Sequence, residues 1–276
     1  MSRSDFSMRN RRAATSGRGL PHTGLAGARQ AGRRPRGYAE WSMRPLYILV
    51  FLAPLIALYE YGSVRWLSQP GFEVKLSAQE LLGQFFRTFG VVGIHLPAVA
   101  LVVVLMVMHL MSRDSWRIRP TVPVVMAAES MLWAAPLLVL ALLLGRAAAA
   151  ELGPDAPLER LPLMGRFTVA LGAGLYEEML FRLIGMNLVH ALALHLLRTP
   201  ETQARWLAVV VTAVAFAMLH DLSGLSSGQR IGIRVYLMAA GVFFGVVYLV
   251  RGFGIVVGAH AFYDLAVLTL LEREGG

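Results

Sequence analysis

The chain is broken into apolar runs, each long enough to cross a bilayer, and this constrains it more than any other feature. A segment such as PLYILVFLAPLIALYEYG offers no polar face to water. In hydrocarbon its backbone amides can be satisfied only within a helix. The 276 residues are 56% hydrophobic and 16% charged, and cysteine is absent. An ordinary cytosolic enzyme, a disulfide-stapled secreted domain and thiolate catalysis are therefore excluded. The expected fold is all-α, a polytopic membrane bundle with about seven transmembrane helices. Its spans are placed near 46–63, 90–111, 122–145, 164–196, 206–221, 233–250 and 253–271, and an amphipathic surface segment is placed at 76–89.

The net charge of +9 is concentrated at one end. Ten arginines lie among residues 1–44 against Asp5 and Glu40, which accounts for all but one unit of the excess. This segment is rich in Gly, Ser, Ala and Arg and has no hydrophobic period, so residues 1–44 are expected to be a disordered basic cytoplasmic tail. Its expected partners are anionic lipid headgroups rather than nucleic acid. N-terminal transmembrane helices are assigned to 45–160 and a membrane core carrying the chemistry to 161–276. The loop SRDSWRIRP at 112–120 is basic and the loop at 146–163 acidic. This asymmetry expects a multi-pass protein of a bacterial-type plasma membrane with its N-terminus in the cytoplasm. Arg230 and Arg234 fall on the wrong side of that scheme.

Ionisable side chains at membrane depth are costly unless they are paired, face a cavity or function. Three spans contain them. Glu178 and Arg182 are four residues apart on one helical face and can pair. Glu177 is turned about 100° away from that partner, which leaves it as a candidate base. His260 and Asp264 repeat the four-residue spacing on the last span, and Phe216 precedes His220 by one turn on the fifth. At about 1.5 Å per residue, Glu177 lies about 20 Å along its helix from His190. His220 lies about 21 Å from Trp206, and His260 and Asp264 about 12 and 18 Å beyond Gly252. The depths overlap, as one shared site requires. Phe216 alone reads as core filler, and Gly172, Gly174, Gly241 and Gly245 as points of close helix approach. His95, His109, Glu60 and Glu129 read as hydrogen-bonding partners between helices.

In order, these strings resemble the three motifs of the CPBP family of intramembrane proteases, which includes CAAX prenyl proteases of the Ras-converting type and bacteriocin-processing or self-immunity proteins. The EExxxR motif is similar to Glu177, Glu178 and Arg182; FxxxH to Phe216 and His220; and HxxxN/D to His260 and Asp264. The resemblance covers about residues 164–271. It implies an endopeptidase acting on membrane-anchored, CAAX-like or amphipathic peptides. Glu177 with His220 would activate a water, His260 with Asp264 would hold the oxyanion, and Glu178 with Arg182 would brace the site. Asp264 departs from the asparagine of eukaryotic CAAX proteases, and an ionised aspartate would repel an oxyanion. That departure gives weight to an alternative in which His220, His260, Asp264 and Glu177 hold Zn2+. A metal-free glutamate mechanism, with no cofactor, is preferred because no HExxH helix is present. Two further alternatives are a non-proteolytic binding, immunity or scaffold protein with the same fold, and a proton-coupled transporter.

Overall fold

The apolar runs become helices close to where their composition places them. The computed structural model describes residues 37–69, 72–73, 76–90, 93, 95–144, 161–223 and 225–270. A short α1 (Tyr38–Ser42) leads into α2 (Pro45–Gly62), which continues as a π-turn over Ser63–Leu67. Two paired two-residue strands, β1 (Ser68–Gln69) and β2 (Phe72–Glu73), precede the amphipathic α3 (Ser77–Thr88). Then come α4 (Leu96–Ser112), α5 (Thr121–Leu144) and α6 (Leu163–Glu178). A π-helical segment, Met179–Met186, joins α6 to α7 (Asn187–His195). The chain continues through α8 (Glu201–Leu219), α9 (Ser227–Arg251) and α10 (Phe253–Leu270).

Among the described residues, four helices have the length and composition to cross a membrane: Pro45–Leu67, Thr121–Leu143, Glu201–Leu219 and Ser227–Arg251. The chain is an integral membrane helical bundle, but the expected seven full spans are not all of one kind. Leu96–Ser112 and Phe253–Leu268 are apolar but short, and the rod from α6 through α7 carries charge. Leu143, Leu132 and Val124 are 79%, 73% and 69% exposed on α5, as side chains facing lipid would be.

At the centre lies α10, packed against α2, α5, α6 and α9. Ile255, Val256, Val257 and Ala259 are completely buried. A helix apolar on every side is stable only when other helices enclose it. Small residues bring the neighbours in. A Cβ built on Gly174 of α6 would sit 2.8 Å from the Ala261 backbone nitrogen, so only hydrogen fits there.

The basic tail was expected to run disordered to residue 44, and residues 38–42 depart from that. They form α1, and Tyr38 donates to Glu129 at 2.6 Å. Arg251 binds both carboxylate oxygens of Glu129, reaches Ser42 Oγ at 3.1 Å and lies over the Tyr38 ring. Burial, reinforced by the Glu129 carboxylate, pushes the Tyr38 phenol above its ordinary pKa, so it remains a donor. Aromatic and charged partners near 38–42 thus outweigh the low-complexity composition that precedes them. Residues 1–36 and the acidic loop at 145–160 lie outside the described residues.

The other intramembrane carboxylates are also occupied. Glu60 accepts from Tyr176 at 3.0 Å and pairs with His95. His109 departs from expectation: neither ring nitrogen has a hydrogen-bond partner among the described residues, and its ring packs edge-on against Trp116 at 4.4 Å.

The contact between α6 and α10 generates the first prediction. Gly174→Leu should cost about 1–3 kcal/mol or more, because the added carbons meet backbone rather than a flexible side chain. Thermal unfolding in detergent measures this, and a midpoint equal to that of the unaltered protein would contradict the tight packing.

Candidate active site

Glu178 is the last residue of α6, and the π-helical segment begins immediately after it. Such wide turns interrupt the regular hydrogen-bond ladder and recur at functional sites. Arg182, inside the segment, donates from Nη1 to Glu178 Oε1 at 2.8 Å, and both side chains are buried. Its Nη2 donates to the Gly241 carbonyl of α9 at 3.1 Å. The guanidinium carbon lies over the rings of Phe216 and Phe244, 4.9 and 5.5 Å from their centroids. A buried cation survives only with such compensation: a carboxylate, a carbonyl and aromatic faces at once.

The same Glu178 oxygen accepts a second hydrogen bond, from His260 Nδ1 of α10 at 2.7 Å. That bond and a stacking contact with Phe244, centroids 4.6 Å apart at 18°, hold the imidazole plane. Its orientation directs Nε2 toward the other carboxylates. Glu177 Oε2 is 3.8 Å from Nε2, and Asp264 Oδ2, one helical turn beyond His260, is 3.5 Å from it. Glu177 is the most accessible of these carboxylates, its side chain 15% exposed, whereas Glu178 is 0% and Asp264 4%.

Arg182 thus pairs with Glu178 and not with Glu177, as the helical angle requires. His220, expected to activate a water together with Glu177, is bonded within its own helix end. It is the residue at which α8 stops, with extended backbone (φ −76°, ψ 122°). Its Nδ1 donates to its own Phe216 carbonyl at 2.9 Å. A carbonyl only accepts, so Nδ1 carries a hydrogen in this bond and Nε2 is the ring nitrogen left for other partners. Among the described residues His220 and Glu177 share no hydrogen bond. Phe216 connects the two imidazoles. It is fully buried, with its ring 4.8 Å from that of His220 and 6.1 Å from that of His260.

Three parts of the site had no separate signal in the chain. The Gly241 carbonyl is a backbone atom, Phe244 looks like any core aromatic, and the π-helical segment has no residue signature. The expected GxxxG of Gly241 and Gly245 was the nearest hint, and those glycines take the close approach of α8 at Ala213 and Val209. Among the described residues, no three His, Asp or Glu side chains are grouped to hold a metal ion. One nitrogen of each histidine is already committed, His260 Nδ1 to Glu178 and His220 Nδ1 to Phe216. That commitment leaves Nε2 of each imidazole, and a ligating imidazole ordinarily has its other nitrogen bonded in this way, so the bonds at Nδ1 do not decide between the metal-free and Zn2+ alternatives.

Residues 159–266 match the family model described as type II CAAX prenyl endopeptidase Rce1-like. The match begins just before α6, extends into α10 and contains Glu177, Glu178, Arg182, His220, His260 and Asp264. Comparison with curated proteins and with solved structures finds no match.

The shared Glu178 oxygen separates bracing from chemistry. Arg182→Ala strands a buried carboxylate and should cost about 3–5 kcal/mol. Glu177→Gln should leave stability near that of the unaltered protein, because Glu177 is the accessible carboxylate. Unfolding midpoints of the two variants check this, and equal losses would remove the distinction between the two glutamates.

Proposed function

We propose that this chain, a member of the CAAX-type intramembrane endopeptidase family over residues 159–266, cuts a membrane-anchored or amphipathic peptide near its C-terminus. The observation that carries the reading is the opposition of Glu177 and His260. The accessible carboxylate faces a fixed imidazole nitrogen 3.8 Å away, inside a wall of otherwise buried side chains. In this reading Glu177 takes a proton from a water whose oxygen attacks the scissile carbonyl carbon. His260 donates from Nε2 to the oxygen that gains negative charge. Collapse of the tetrahedral intermediate breaks the C–N bond, and the proton on Glu177 passes to the leaving amine. His220, with the Nε2 lone pair available, helps orient the water. Glu178 and Arg182 do not react; they hold His260.

Asp264 needs its own account, since its carboxylate shares the edge of His260 on which the oxyanion would form. Its 3.5 Å approach to Nε2 supports an orienting role. The amide of Asp264→Asn keeps the shape and removes the repelling charge, so that variant should retain activity or gain it, whereas Asp264→Ala should lose it. Steady-state cleavage rates for the pair decide, and loss of activity in Asp264→Asn would make the negative charge itself necessary.

The substrate in this reading is embedded in the membrane or held there by lipid, and it reaches the site sideways from the bilayer. The N-terminus is cytoplasmic, and the Arg-rich tail engages anionic headgroups. The test is cleavage of a quenched, membrane-anchored peptide library by protein in detergent. Glu177→Gln should lower the rate at least about 100-fold, the scale of a general base. A chelator should leave activity of the unaltered protein intact. Full activity in Glu177→Gln would overturn the glutamate mechanism. Activity lost with chelator and regained with Zn2+ would instead gather His220, His260, Asp264 and Glu177 around a metal. Absence of any cleavage would favour a binding or immunity role for the same fold.

A further inference from the structure

His220 directly follows the last turn of α8, and a helix end is a poor place to hold a side chain accurately. Its final carbonyls have no partners within the helix. Two side chains fill that need here. His220 Nδ1 donates to the Phe216 carbonyl at 2.9 Å. The next carbonyl, that of Ala217, accepts from Arg234 Nη1 of α9 at 2.6 Å. The same guanidinium nitrogen lies 3.7 Å from Met218 Sδ, so both contacts are with the terminal turn of α8. A cation at this end also meets the negative pole of the helix dipole.

The surroundings fix the arginine in turn. Ile233 and Leu237, flanking it on α9, are buried in a small apolar cluster with Phe181, Phe216, Ala217 and Leu222. This cluster joins the π-helical segment, the end of α8 and the beginning of α9. The placement also accounts for a charge that the topology scheme left on the wrong side of the membrane. Arg234 is held by a helix terminus rather than by a lipid surface.

We propose that Arg234 is a positioning residue for His220. It closes α8 at Leu219, keeps the Phe216 carbonyl in place to receive Nδ1, and so aims Nε2 of His220 at the site. The proposal rests on the proteolytic reading above, but its test does not depend on cleavage alone.

Two variants remove the hydrogen bond: Arg234→Gln, and Arg234→Met, which keeps the apolar stem that packs on α9. Either should lower kcat on the order of 10–100-fold with KM little changed, since a displaced catalytic group costs about that much. Arg234→Lys, which restores a cationic donor, should recover most of the loss. In a His220→Ala background, Arg234→Gln should cost nothing further. Equal turnover in Arg234→Gln and the unaltered protein, with His220→Ala slowed to a still measurable rate, would overturn the proposal and leave the proteolytic reading standing. An equal loss from Arg234→Gln in both backgrounds would also overturn it, as a mere stability effect.

A second measurement needs no substrate. The ring nitrogens of 15N-histidine-labelled protein, with His220 assigned by its absence in His220→Gln, should show hydrogen on Nδ1. That signature should shift or broaden in Arg234→Gln and Arg234→Met. An unchanged His220 signal in a folded variant overturns the proposal even if no peptide is ever cleaved, whereas a shift without cleavage upholds the positioning and sinks only the proteolytic reading.

Discussion

One carboxylate oxygen organises this molecule. Glu178 Oε1 accepts from Arg182 and from His260 at the same time, and thereby ties the π-helical segment that follows α6 to the middle of α10. Without the arginine, the buried carboxylate keeps only its hydrogen bond from His260. Without the carboxylate, the arginine retains only the Gly241 carbonyl and aromatic faces. Each group makes the burial of the others tolerable, which is how this polar triad persists in the interior of the bundle. The spatial relation of Glu177 to His260 follows from it. Glu177 precedes the bridging glutamate by one residue, so its direction is fixed by a neighbour that cannot move.

The N-terminal helices, outside the family match, are not a separate layer. Tyr176, next to Glu177, donates to Glu60 of α2, and its ring meets Tyr59 edge-on at 5.0 Å. Tyr59 in turn donates to Gln79 of α3 at 2.6 Å. At the opposite end of the bundle, Glu129 of α5 holds Arg251, where α9 gives way to α10. The helices that carry the candidate site are therefore supported from two sides by polar contacts, and the apolar packing of α5 on α10 fills the space between them. Intramembrane Glu60 and Glu129 belong to this scaffolding, which weakens the case for a proton relay built from them.

Much of this was legible before any coordinates. Apolar runs must become helices in hydrocarbon, and i, i+4 spacing decides which glutamate can reach Arg182. The family resemblance follows from the same residues. What escaped was whatever depends on backbone or on packing without a residue signature. The π-turn widens a helix without any marker in MLFRLIGM. The Gly241 carbonyl is one of many, and the stacking of Phe244 on His260 depends on a helix crossing. His220 shows the limit best. Depth along a helix put it level with Glu177, but its ring turned to cap its own helix end. His109 and the helix at 38–42 show that a residue's type does not reveal whether a partner will reach it.

The enclosure of α10 has a consequence for how the protein is made. His260 and Asp264 reside on a helix that follows, in chain order, every helix packed around it. As the polypeptide leaves the ribosome from its N-terminal end, Glu177 and His220 enter the bilayer first, with a vacant slot between α5 and α6 where α10 belongs. Until that slot is filled, Glu178 and Arg182 lack the imidazole they hold. A chain stalled before α10 consequently presents Glu177 without the imidazole that faces it, so the candidate site closes only when α10 packs into its place.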